Sequence, residues 1–318
     1  MSYKPCNENS SEQVKNVLNY LYDMQGKGLI TGQHTQTRIC EELKYIKEVT
    51  KKQPALCGFE LLSYSPNINI EMTDEDCILE YENNKGTLEN IWEWANKKGL
   101  ITLTWHWFSP LYGHDKSFFT RNTDFDAEKA TQEGSKEYSA LISDMDYMAS
   151  ILKTFQEKNV PIIWRPFHES DGDWFWWGAK GTVVAKRLYE IMFDRYVNYH
   201  KLNNLIWVWN SLDEENYIGD DKCDVISADM YMPPYTYSDY KDLYDKLKKI
   251  SAKKIMALAE IGPLPSLENI IENKLNWSWY MMWSRDFART DKFTSKEEMQ
   301  KMYNSDYAIT LDKLPKLY

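Results

Sequence analysis

The sequence predicts an α/β fold, a single-domain (β/α)8 TIM barrel spanning residues 1–318. Three observations carry that prediction. Eight short, nearly continuous apolar runs alternate with amphipathic stretches, the pattern of parallel strands covered on both faces by helices. No Pro-, Gly- or Ser-rich linker divides the chain. Several of the runs end in polar or aromatic residues, and in a barrel such C-terminal strand ends converge on one mouth, where barrel enzymes place their chemistry.

Taken in order, a helix is expected over Ser11 to Met24, ahead of the strand Leu29 to His34 (LITGQH), which ends in Gln33 and His34. The second run, Pro54 to Leu62 (PALCGFELL), carries Glu60. A helix over Thr87 to Lys98 leads to the third, Leu100 to Trp107 (LITLTWHW), which ends in His106 and Trp107. The connection from Phe108 to Gly134 is long, and loops of that length usually serve a function; it is expected to wall a cleft, with Phe118 and Phe119 as contacts. Tyr138 to Lys158 is the clearest helix, because Leu141, Met145, Met148, Leu152 and Phe155 recur on one face while Asp144, Asp146 and Lys153 occupy the other. The fourth run, Val160 to Glu169 (VPIIWRPFHE), ends in His168 and Glu169. A helix over Thr182 to Lys201 precedes the fifth, Asn204 to Ser211 (NLIWVWNS). The fifth crossover is short, and the sixth run, Cys223 to Tyr231 (CDVISADMY), follows it. A helix over Tyr240 to Ser251 leads to the seventh run, Lys254 to Gly262 (KIMALAEIG), which carries Glu260. The eighth, Trp277 to Ser284 (WSWYMMWS), brings in Trp283, and a last helix covers Ser295 to Tyr303.

Composition narrows the function. A net charge of -10 with scattered basic residues argues against nucleic acid, which would be repelled over most of the surface. No apolar run approaches the length that spans a bilayer, and a mean hydropathy of -0.62 fits a water-soluble protein, expected as a monomer. Five cysteines, odd in number and without a C-x-x-C pair, suggest neither a zinc site nor a disulfide framework. No metal or cofactor motif is found; Asp124 and Asp126 lack the D-x-D-x-D-G setting of a calcium loop. The opening residues MSYKPCNENSSEQ contain no export signal, so the chain is either cytoplasmic or a catalytic module of a longer secreted precursor. The aromatic content is the positive signal: 13 Trp and 22 Tyr exceed the needs of the core, and flat rings with polar edges suit sugar faces.

Two glutamates at apolar strand ends, Glu169 in RPFHE and Glu260 in ALAEIG, fall on strands 4 and 7 and hence across the mouth. A lone strand-end glutamate is ordinarily an ion-pair partner; a pair so placed is what glycoside hydrolysis needs, one protonated acid and one ionised carboxylate. Glu169, followed by the ring-rich loop SDGDWFWWG, is placed to be raised by desolvation and stay protonated. Glu260 is expected to be held ionised by Arg165 and the Tyr231 hydroxyl. His106, Trp107 and His168 are assigned to contacts around a sugar, Trp283 to the floor beneath it. Trp164, Trp207 and Trp209 lie inside strands and belong largely to the core, whereas at least one of Trp174, Trp176 and Trp177 is expected to face substrate.

These segments, WRPFHE with GDWFWWG, the downstream ALAEIG, WHW at the third strand and MMWS at the eighth, resemble glycoside hydrolase family 26 over nearly the whole chain. The resemblance implies a (β/α)8 barrel and retaining endo-β-1,4-mannanase activity on mannan, glucomannan or galactomannan. It implies acid/base Glu169 and nucleophile Glu260, with His106, His168, Trp174, Tyr231 and Trp283 lining the subsite before the cleaved bond; Trp107, Arg165 and Trp177 complete the expected substrate-binding set. It also implies an extracellular enzyme, joined in a longer precursor to carbohydrate-binding or dockerin modules. Two positions depart from the pattern: Ser284 stands where some mannanases have arginine, and Glu60 where an aspartate is expected. The alternatives are a β-1,3-1,4-glucanase or β-1,3-xylanase of the same family, a non-catalytic carbohydrate-binding barrel, and a metal-dependent hydrolase using His34, His106 and His168.

Overall fold

The computed structural model describes residues 3–66, 68, 75–111 and 118–318. Eight parallel strands close into a barrel: β1 (Leu29–Thr35), β2 (Leu56–Glu60), β3 (Leu100–Thr104), β4 (Ile162–Arg165), β5 (Leu205–Asn210), β6 (Val225–Met230), β7 (Ile255–Ile261) and β8 (Trp279–Met282). Each pairs with the next, and β1 pairs with both β2 and β8, which closes the ring. A short β9 (Ala308–Ile309) adds to the outer start of β1.

The helical shell holds α1 (Glu12–Met24), α2 (Glu41–Thr50), α3 (Glu75–Asn83), α4 (Thr87–Asn96), α5 (Lys136–Glu157), α6 (Thr182–Asp194), α7 (Lys241–Ile250), α8 (Leu267–Glu272) and α9 (Lys296–Asn304). Ser11, Ser135, Ser266 and Ser295 cap α1, α5, α8 and α9, each accepting a backbone N–H of the first turn. The short fifth crossover, residues 211–224, carries turns and no helix. The helix expected to run on to Lys201 ends earlier, at Asp194, and the chain continues as a π-helical turn over Arg195–Tyr199. The described helices include none long and apolar enough to cross a membrane.

Alternation along the strands separates two cores. Ile30, Leu56, Leu100, Ile163, Ile206 and Ile255 cluster inside the barrel, where α1 contributes Val14 and Leu18 beneath them. The intervening residues face the helices; Trp207, for example, meets Tyr189 and Phe193 of α6. Because side chains of a strand repeat every two residues, the lumen face that begins with these apolar residues ends in Glu60, Thr104, Arg165, Asn210 and Asp229.

Strand β7 breaks that period. Ala228 of β6 pairs with Leu258, but the next residue, Asp229, pairs with Glu260, and on the other side Tyr280 and Met282 of β8 pair with Leu258 and Ile261. One extra residue therefore sits in β7 at Ala259. Ile255 and Ala257 face the lumen, so regular alternation would turn Glu260 outward; the bulge returns it to the inside.

Candidate active site

The expected fourth strand ends four residues early, at Arg165. Pro166 has no N–H to continue the ladder, and Phe167 and Glu169 adopt left-handed backbone, with φ of 50° and 53°. The chain thereby leaves the sheet with His168 and Glu169 over the mouth, and Glu169 N–H donates to Asn210 Oδ1 at 2.7 Å.

Arg165, buried, is the hub of the lumen. It donates to Asp229 Oδ2 at 2.8 Å, to Thr104 Oγ1 at 3.2 Å and to Glu260 Oε1. Glu260 also accepts from the Tyr231 hydroxyl at 2.7 Å, and Asn210 donates to Asp229 at 2.9 Å. One carboxylate oxygen from each of Glu169, Asp229 and Glu260 lies within 4.8 Å of the others. Among the described residues no comparable group forms from His34, His106 and His168, the trio considered as metal ligands.

Burial, reinforced by the charge of Asp229, pushes Glu169 up to about 7. The indole N–H of Trp174, donated to Glu169 Oε2 at 2.7 Å, and the charge of Arg165 oppose this rise. Burial also pushes Asp229 up to about 7 against the pull of Arg165. Glu260 has the two donors expected for it, but burial outweighs them and its carboxyl is raised, not lowered.

Two hollows meet at this cluster and share Glu169, Trp174 and Tyr231. The smaller, about 210 Å³, is also lined by His106, His168, Glu260, Trp283, Phe118 and Phe119. The other, about 440 Å³, is lined by Asp171, Asn210, Leu212, Asp229 and Met230 among others. A larger hollow of about 720 Å³ lies at the opposite end of the barrel, beside residues that precede β2 and follow β9, and its lining includes three lysines. The acid cluster and the convention of barrel chemistry both select the first two.

Of the expected ring contacts, Trp174 is 48% exposed and Trp283 half-buried, its ring stacked on His34 at 4.0 Å between centroids. Trp107 and Trp177 do not face a sugar. Trp107 is buried, donating to Asp144 at 2.9 Å, because its position directly after His106 turns it to the helix side. Trp177 is buried under the loop and donates to the His168 carbonyl at 2.8 Å, a contact that shapes the strand end from below. Close backbone approach makes this fold of the loop: a side chain at Gly178 would meet the Gly172 carbonyl at 2.0 Å. Phe118 and Phe119 do wall the smaller hollow, with Phe119 bridged to Phe175 across the two loops, while residues 112–117 of that connection lie outside the described residues. Asp229 is the member that sequence reasoning missed. Its signal was an acid two residues beyond Ser227, on the lumen period of β6.

A family description follows from the sequence as a whole: the model of glycosyl hydrolase family 26 matches residues 6–313. The chain belongs to this family. Among its relatives, a mannan endo-1,4-beta-mannosidase of Thermothelomyces thermophilus is 37% identical over 323 residues, covering 97% of this chain and 62% of that protein. Mannan endo-1,4-beta-mannosidase A of a Piromyces species is 34% identical over 206 residues, covering 63% of this chain and 33% of its own length. The chain thus spans less than two thirds of these relatives. Solved mannanase structures superpose closely. A Podospora anserina GH26-CBM35 beta-(1,4)-mannanase has a TM-score of 0.88 at 33% identity, over 98% of this chain and 69% of that one. A beta-mannanase from a symbiotic protist of the termite Reticulitermes speratus, complexed with gluco-manno-oligosaccharide, has a TM-score of 0.87 at 28% identity, over 98% and 97%.

Proposed function

We propose that the chain is an endo-acting β-1,4-mannanase that hydrolyses with retention of configuration, Glu169 serving as acid/base and Glu260 as nucleophile. The observation that carries this reading is the approach of the two carboxyl groups, one oxygen of each lying no more than 4.8 Å from the other, compatible with the roughly 5–5.5 Å of retaining glycosidases and short of the roughly 6.5–9.5 Å that inverting ones leave for a water. The mannan assignment is supported by relatives that carry that activity in their names. Two hollows that share Glu169, Trp174 and Tyr231 offer room on both sides of the reacting acid, which suits attack inside a chain. A polymer does not cross a bilayer, so action outside the cell accompanies this substrate.

In the first step Glu169 gives its proton to the glycosidic oxygen as that bond breaks, and a Glu260 oxygen bonds the anomeric carbon. In the second, Glu169, now ionised, takes a proton from water as the water oxygen displaces Glu260. Arg165 and Tyr231 hold Glu260 at a fixed angle, and its donors stabilise it as a leaving group. Trp283 supplies a flat face and Trp174 both orients Glu169 and borders the two hollows.

The test is release of short manno-oligosaccharides from β-mannan, with the β-anomer formed first by NMR. Glu260→Ala is expected to lose at least about 10³-fold in turnover. Full activity in that variant, or an α-anomer as first product, would refute the mechanism. Preferential cleavage of mixed-linkage glucan or β-1,3-xylan in a polysaccharide panel would reassign the substrate.

A further inference from the structure

Glu60 and His106 form a buried ion pair in the mouth that the hydrolytic steps above leave without a task. Glu60 accepts three hydrogen bonds: from Leu62 N–H at 2.9 Å, from His106 N–H at 2.8 Å and from His106 Nδ1–H. On its far side, His106 Nε2 lies 3.1 Å from His168 Nε2. Two facing ring nitrogens bond only when one carries a proton, so either His106 holds protons on both nitrogens or His168 donates to a neutral His106.

The surroundings decide between them. His34, His106 and His168 share the same dry mouth, and burial pushes His34 and His168 well below the usual histidine range, helped by the charge of Arg165. His106 alone meets a carboxylate directly; although burial opposes it, Glu60 raises it to about 9. The carboxylates around the ring among the described residues favour this. Glu60 comes from β2, Glu80 from α3, Glu260 from β7 and Glu169 from the loop after β4. His168 and His34 are the neutral neighbours, and Phe118, Phe175 and Trp283 are uncharged; of the cations among the described residues, Arg165 is bonded to Glu260 and Asp229, and Arg285 lies 3.6 Å from Glu80.

We propose that Glu60 is a positioning residue that keeps a positive charge on His106 beside Glu169 and Glu260 and so sets the pH window in which one is protonated and the other ionised. This rests on the reading of those two glutamates as the reacting pair. The charge on His106 favours the ionised form of both carboxyls. Without it Arg165 would face Asp229, Glu169 and Glu260 alone, and both reacting groups would titrate higher.

Glu60→Gln keeps the shape and a carbonyl acceptor but removes the charge. Nitrogen-15 NMR of histidine is expected to report both His106 nitrogens protonated at pH 7.5 in the native protein and one in the variant. Both limbs of the pH profile for mannan hydrolysis are expected to move upward by about half a unit or more in Glu60→Gln. Glu60→Asp, which keeps the charge, returns them toward native positions. If Glu60→Gln does not fold, His106→Gln removes the same charge and carries the same expected shift. A neutral His106 in the native protein at pH 7.5, or a uniform loss of rate with unmoved limbs, overturns the proposal. The NMR arm needs no substrate, so failure of the native protein to cleave any β-mannan would refute the hydrolytic reading separately.

Discussion

Trp174 acts on Glu169 through a single hydrogen bond, and that bond opposes the effect of burial. Trp174→Phe keeps a ring at the junction of the hollows but removes the donor, so Glu169 loses a partner of its ionised form and titrates above 7. Activity that needs the protonated acid should then persist to higher pH, with the alkaline limb displaced upward by a few tenths of a unit to one unit. A rate profile with an unmoved limb would separate the indole from the acid. Glu169 also imposes a stability cost: its carboxyl is raised in the folded chain, so the native state disfavours the charge it must carry at high pH. Glu169→Gln is therefore expected to stabilise the protein by about 1–3 kcal/mol at pH 8 and to change little near pH 4, by denaturant titration.

At the scale of elements, the bulge in β7 carries the largest consequence. Deleting Ala259 would remove the bulge yet leave Glu260 directly after Leu258, still opposite Asp229 and still facing the lumen; a folded product, checked by its far-ultraviolet circular dichroism, is expected to keep measurable hydrolysis of mannan. Loss of turnover in a folded product would show that the bulge itself, beyond the side to which Glu260 turns, is needed to set the carboxylate. The loop after β4 divides in a similar way. Trp177→Ala is expected to cost about 3–5 kcal/mol of stability, whereas Trp174→Ala, at a half-exposed ring, should cost far less and act on activity. The strands and their polar ends could be read from the sequence because a continuous apolar run followed by a polar residue is a local pattern. The bulge could not, since ALAEIG reads as a regular strand whichever way Glu260 turns, and only pairing with β6 and β8 reveals the extra residue. The same limit misplaced Trp107: facing direction depends on the period of β3 and not on the company of His106 and Trp105. Trp177, expected among the substrate contacts, is buried together with Trp176, because their indole N–H groups find the backbone carbonyls of His168 and Trp107. The helices α2, α3 and α8 went unread; α3 matters, because it delivers Glu80 to the smaller hollow.

For the molecule as a whole, several raised groups act in one direction. His106, raised to about 9, contributes stability that is complete below about 6.5 and lost as the pH climbs through 9. Glu169 and Asp229, raised to about 7, favour the fold while protonated and cost stability as they ionise. Asp146 and Asp213, lowered by their hydrogen bonds, weaken the fold only as the pH drops through the acidic range. A net charge of -10 adds repulsion on the alkaline side. The melting temperature is therefore expected to peak on the acidic side of neutrality and fall toward pH 9, a trend that calorimetry from pH 3 to 9 would establish or refute. Arg165 extends the argument beyond pH. From β4 it reaches Thr104 on β3, Asp229 on β6 and Glu260 on β7, so one side chain braces the rim of the barrel and supplies its charge. Rigidity and reactivity are then a single trait at that point. Efforts to harden the protein against heat have room in the helical shell and little in the lumen, where any repacking around the guanidinium would come out of turnover.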